Sequence, residues 1–146
     1  MIEITVDDLK LQEELSKLKD KFEDLSPLML SLSESMLFAV QENMESEGSR
    51  LPSGHWVGLS EWTLEGRAKK GHNGKILQDN GDLINSIHAE HSPTEAIVGT
   101  IDKRAAMLHF GGQTGLDTTI PGRPYMELID QDMEDMMEDV MSYLGK

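Results

Sequence analysis

Five histidines, an acidic run near the C-terminus and a complete lack of cysteine define the reactive chemistry open to this chain of 146 residues. His88 and His91 stand three apart in a weakly alternating stretch, which sends them to opposite faces of a strand, and no other His or Cys is close enough in sequence to complete a metal site. Asp130, Asp132, Glu134 and Asp135 resemble a calcium loop only superficially. The obligatory Gly is absent, and Met133, Met136 and Met137 continue a helix through them. Gly74 and Lys75 form a Gly-Lys pair in a basic loop, yet Ile76 follows where a phosphate-binding loop needs Ser or Thr. His109 is a lone histidine in an apolar turn, a setting that usually makes it a hydrogen-bonded structural group. No GxSxG stretch accompanies it, and thiol catalysis needs a Cys. The expectation is a protein with no catalytic residues, no cofactor and no metal.

Charge narrows the partners. The net charge is −14, distributed as −8 over residues 1–47, zero over 48–125 and −6 over 126–146. Acidic ends repel phosphate, so direct nucleic-acid binding is not expected, and the simplest effect of the acidity is solubility. Arg67, Lys69, Lys70 and Lys75 form the one local excess of positive charge, suited to an acidic neighbouring subunit. The start, MIEITVDDLK, has neither a basic nor an apolar segment, so no leader is expected. No apolar run approaches the ~20 residues of a membrane span. The absence of Cys fits a reducing cytoplasm.

Local patterns then say which elements must position these residues. Thr5 and Asp8 read as a capping box opening a helix. Leu11, Leu15, Leu18, Phe22 and Leu25 recur at alternating four and three, the stripe of an amphipathic helix expected to pack on the protein's own sheet. Ser26 and Pro27 mark a break, and Met29, Leu32, Met36, Val40 and Met44 form a second apolar face to about Glu47. Gly48 to Gly58 reads as a loop around Trp56, a core plug whose indole N–H needs one partner. Ser60 can cap a short helix with Trp62 and Leu64 inward and Arg67, Lys69 and Lys70 outward. Asn80-Gly81 specifies a turn, and residues 84–101 read as an antiparallel hairpin turning at Ser92-Pro93-Thr94-Glu95. From Tyr125 to about Leu144, the spacing of Met126, Ile129, Met133, Met136, Met137, Val140 and Leu144 predicts a last helix with a Met-rich buried stripe.

Residues 105–126, AAMLHFGGQTGLDTTIPGRPYM, carry the most specific local demands. Ala105 to Phe110 can form one or two helical turns. Gly111 and Gly112 then release the backbone. Gln113, Thr114, Gly115, Leu116, Asp117, Thr118 and Thr119 contain one apolar residue, Leu116, and predict a mobile, exposed loop. Pro121 and Pro124 stiffen the return around Gly122 and Arg123. The reading is an interaction loop, Gly111 to Thr119, held between anchors His109 and Phe110 on one side and Ile120, Pro121, Arg123 and Pro124 on the other.

The same residues resemble a known family. The order LHFGG, loop, IPGRPYM is similar to that of the phage virion morphogenesis family, Mu-like tail completion proteins that act where head meets tail. Trp56, Leu59 and Thr63, the stretch KILQDNGDLINSI at residues 75–87 and VGT at 98–100 agree in order, so the resemblance spans roughly residues 44–126. Gly122 stands where Ala is usual, Asn80 where Thr or Ser is usual, and Arg104 where Tyr is expected. The resemblance implies a structural virion protein of the neck or tail, assembled in the host cytoplasm. It would form a ring, with six copies matching phage tail symmetry, and bind neck or head-completion and tail-tube or terminator proteins.

The fold expected is α+β in one domain. Residues 1–47 form N-terminal helices, 48–125 a small central antiparallel sheet with a hairpin and an extended loop, and 126–146 a C-terminal helix. A different class, an acidic DNA-mimicking inhibitor outside the virion, would instead array carboxylates at phosphate spacing on one face.

Overall fold

A computed structural model describes residues 9–115 and 117–145 of the chain, and the fold is α+β. Its organising element is α2 (Ser26–Glu45), preceded by α1 (Leu9–Glu23). Pro27 sits in the first turn of α2, where its missing N–H leaves no bond unmade. Val40 and Met44 lie on the inner face of α2 and pack with Leu51, Trp56, Ile76, Leu77, Leu83, Ile87 and Tyr125 into one buried cluster. Burying a side chain of this size stabilises by about 1.5–3 kcal/mol.

After α2 the chain makes a loop with Glu47 and Gly48 at positive φ, then α3 (Glu61–Lys69), capped as expected by Ser60, whose hydroxyl accepts the Thr63 N–H. A short α4 (Asp82–Ser86) leads into β1 (Ile87–His91), which pairs antiparallel with β2 (Ala96–Thr100), from Ile87 opposite Thr100 to His91 opposite Ala96. The hairpin expected from residue 84 therefore begins at 87. Gly81, at φ +85, starts a helical turn that carries Leu83 into the core before the strand can start. This hairpin lies across α2, and α6 (Asp130–Leu144) packs along another flank of the same helix.

Between them stand α5 (Ala105–Phe110) and a second pair of strands, β3 (Gly112–Gln113) and β4 (Thr119–Ile120). Among the described residues the small sheet expected is thus two separate two-stranded antiparallel sheets. Among the described residues, no helix is long and apolar enough to cross a membrane.

Several expectations differ from the structure and others go untested; where an apolar face is concerned, periodicity reports that a helix has one and the fold decides how much of it is covered. The Thr5 capping box and the side chains of Leu11 and Leu15 lie outside the described residues. Leu18 and Phe22 of α1 are exposed rather than packed on a sheet. Trp62 and Leu64 of α3 point outward, while Arg67, expected outward, folds back to donate to the Asn73 and Lys75 carbonyls. The C-terminal helix starts at Asp130, not Tyr125. Ile129, Met136, Val140 and Leu144 are half-buried, whereas Met133, Met137 and Met141 form an exposed flank. Trp56 is the core plug expected, but its indole N–H lies against Gly48 and bonds to none of the described residues.

Candidate interaction site

Residues 105–126 place the short ribbon of β3 and β4 on a locked base between α5 and Tyr125. Helix α5 ends because Gly111 takes φ +74, donating its N–H to the Met107 carbonyl as the chain turns away. A Cβ on Gly111 would lie 2.5 Å from the Gly122 nitrogen and 2.6 Å from the Ile120 oxygen. Gly122 is equally close-set: a Cβ there would meet the Phe110 carbonyl oxygen at 2.7 Å. The outgoing and returning chains therefore touch backbone to backbone, which only glycine permits. The Arg123 N–H continues the contact with a 3.0 Å hydrogen bond to the Leu108 carbonyl.

Beyond this crossing, Gly112 pairs with Ile120 and Gln113 with Thr119, and the Thr114 N–H donates to the Thr118 carbonyl at 2.8 Å. The expected structureless loop is instead a paired ribbon. Two residue pairs of ladder satisfy backbone groups that an unpaired loop would leave to water. Gly112, Gln113, Gly115, Asp117, Thr118 and Thr119 are exposed and Thr114 is half-buried, so the ribbon's surface is open. Asp117 adopts φ +55, a conformation that Asp tolerates better than most residues. Leu116, the one apolar residue of the expected loop, lies outside the described residues.

The anchors divide. Arg123 is 8% exposed and donates from Nε and Nη2 to the Val57 carbonyl, at 3.2 and 2.9 Å, tying the return strand to the loop after α2. Burial lowers its pKa, and the nearby Arg67 lowers it further. The His109 Nδ1 accepts from the N–H groups of Tyr125 and Met126 at 3.4 and 3.3 Å, which leaves Nε2 to carry the ring proton in the neutral form. The His109 ring meets Tyr125 edge-on, 5.4 Å between centroids. Ile120, Pro121 and Pro124 are half-buried. Phe110, expected as an anchor, is 79% exposed: its ring meets the His109 ring edge-on, 4.5 Å between centroids, and the turn at Gly111 leaves the rest of the side chain open.

Below the anchors runs a polar network that sequence reasoning missed. The Tyr125 hydroxyl donates to the Ala105 carbonyl at 3.0 Å, and burial raises its pKa, helped by the charge of Asp102. Asn43 Nδ2 donates to the carbonyls of Tyr125 and Glu127, both at 2.8 Å. Arg50 donates to Asn43 Oδ1 and the Ala39 carbonyl, and pairs with Asp132, whose other oxygen accepts the Ile129 N–H that precedes α6. The ribbon base is thereby continuous with α2 and the start of α6. The available signal was Asn43 itself, a polar residue on the apolar side of α2 between Val40 and Met44.

The hydrogen-bond pattern supplies rigidity, with the acceptor of His109 already occupied by backbone amides. Among the described residues, no group of three or more His, Asp or Glu side chains is placed to hold a metal ion.

Comparison with known proteins places this geometry in context. A family model described as the phage virion morphogenesis family matches residues 6–145. The chain is 34% identical over 146 residues to the Mu-like prophage FluMu G protein 2 of Haemophilus influenzae (strain ATCC 51907 / DSM 11121 / KW20 / Rd), covering 98% of this chain and 96% of that protein. No solved structure matches.

Proposed function

The chain belongs to the phage virion morphogenesis family, and from that premise we propose that it completes the tail or joins tail to head, by ring assembly and ribbon docking without catalysis. A role in virion morphogenesis follows from the family; the place in the neck or tail is our reading. The observation that carries it is the ribbon of β3 and β4, an open, polar, hydrogen-bonding surface held on a base where the two chains touch backbone to backbone. Such a ribbon can present its edges and side chains to a neck, head-completion, tail-tube or terminator protein without first paying the full ordering entropy of a free loop. Phe110, exposed at the ribbon's root, adds an apolar contact of the kind that carries interface energy. Six copies in a closed ring would match the symmetry of a phage tail, and no part of the reading needs a cofactor, a membrane or direct contact with nucleic acid.

The test replaces residues 113–119 with a short Gly-Ser linker. Closure entropy changes only logarithmically with loop length, so the isolated protein should melt within a few degrees of the wild type. Particles made with the variant should show unjoined heads and tails or tails of faulty length by electron microscopy. Normal, infectious particles would sink the docking role of the ribbon.

A further inference from the structure

Two exposed helical stripes on this chain match each other in length, and the one on α3, which starts beside Glu61 and Glu65, ends in two lysines where the one on α2 carries carboxylates. On α2, Glu34, Phe38 and Glu42 follow at intervals of four, so they form one line of about 12 Å. Phe38 is 62% exposed, beside a groove of about 460 Å³ whose lining also includes Arg50, Asp132 and Asp135. That lining holds four carboxylates, with Glu34 and Glu42 among them, against one guanidinium, which is already paired with Asp132. On α3 and the residue that caps its C-terminus, Trp62, Gly66 and Lys70 follow at the same interval of four. Trp62 is 83% exposed, and Lys69 and Lys70 make no ion pair among the described residues.

Gly66 is the revealing residue. It sits inside α3, where glycine is the poorest helix former after proline, and its φ is not in the left-handed region. A Cβ added there would meet nothing within 4 Å. Among the described residues nothing therefore requires a glycine there, and the close approach of something outside the chain would.

We propose that the Trp62–Gly66–Lys70 face of one copy docks on the Glu34–Phe38–Glu42 face of a second copy. Phe38 fills the notch at Gly66, Trp62 covers the apolar part of the groove, and Lys69 and Lys70 meet the carboxylates. Charge complementarity selects a second copy as the occupant, because Lys69 and Lys70, which remain when Arg67 pairs with Asp79 and Lys75 with Glu45, and the acidic groove are carried by the same chain. The two faces share no residue, so the contact is head-to-tail and repeats into a ring if its rotation closes. The inference deepens the ring reading and rests on it only for that closure.

The test is sedimentation velocity of the full chain over a range of concentration and salt, with Phe38→Ala and Gly66→Leu as variants, each confirmed folded by its melting curve. Wild type should associate, less so at high salt, and each variant alone should weaken association at least tenfold. Mixed one to one, the variants should form a two-chain species and stop there, since each retains the face the other lacks. Gly66→Ala should raise the melting midpoint by about 3 °C, the sign of a glycine kept at the expense of helix stability. If Gly66→Leu does not fold, the exposed double reversal Lys69→Glu with Lys70→Glu takes its place, with rescue expected from Glu34→Lys with Glu42→Lys. Variants that assemble like wild type would overturn this contact while leaving the ring intact. A mixture that remains monomeric would overturn the head-to-tail pairing. A wild type that stays monomeric at every concentration would overturn both the contact and the ring, leaving the role of the ribbon to its own particle assay.

Discussion

Asn43 and Tyr125, 82 residues apart in the chain, are both fully buried and joined by a 2.8 Å hydrogen bond from the Asn43 side chain to the Tyr125 carbonyl. The same amide also serves Glu127, and its oxygen takes the Arg50 guanidinium. One side chain thus satisfies the stretch between the ribbon and α6, which belongs to no helix or strand. Asn43→Leu would leave the buried Tyr125 carbonyl without its donor and take one partner each from the Glu127 carbonyl and the half-buried Arg50 guanidinium. The expected cost is about 2–4 kcal/mol, read as a lower urea midpoint at unchanged slope. A loss below about 1 kcal/mol would mean that the stretch finds other partners.

Gly111 is held by two independent demands, a left-handed φ and backbone contact with Gly122 and Ile120. Gly54 shares only the first, with φ +79 and open space around it. Gly54→Ala should therefore destabilise by about 1 kcal/mol and Gly111→Ala by roughly 2–4 kcal/mol. Equal thermal shifts in the two variants would show that the close crossing under the ribbon contributes nothing to stability.

His109→Gln keeps an acceptor that can face the Tyr125 and Met126 amides, whereas His109→Leu does not. The glutamine variant should stay within about 1 kcal/mol of wild type and give normal particles; the leucine variant should be clearly less stable. Lost infectivity in a well-folded glutamine variant with normal particle morphology would argue for chemistry at this histidine.

Asp102 accepts hydrogen bonds from the backbone and guanidinium of Arg104, which hold its pKa at about 2, below the ordinary 3.8. Because the folded value is the lower one, its stabilising contribution is complete above pH ~4 and disappears as pH falls through about 2. Asp102→Asn should therefore flatten the acid limb of the stability curve between about pH 4 and 2. Unfolding curves followed by circular dichroism across that range would decide it, and an unchanged limb would count against the Arg104 pairing.

Much of this protein was legible in its residues because the signals were local. Pro27 could only open a helix, Ser60 could cap one, Gly81 could turn the chain, and Gly111-Gly112 could end α5, since each depends on backbone sterics within a few residues. The α+β class, the hairpin and the family resemblance followed from such features. Tertiary structure alone decided what covered each apolar face. The spacing of Met133, Met137 and Met141 is that of a buried helix side, yet α2 covers only the neighbouring flank. Residues 125–129 read as helix by periodicity, but Asn43 captures two of their carbonyls before a helix can use them. The ribbon read as a loop because two paired residues per strand leave no alternation to detect. Local sterics are written in neighbouring residues, whereas burial and long-range hydrogen bonds depend on which distant surface arrives, and only the folded chain brings Arg123 to Val57 or Asn43 to Tyr125.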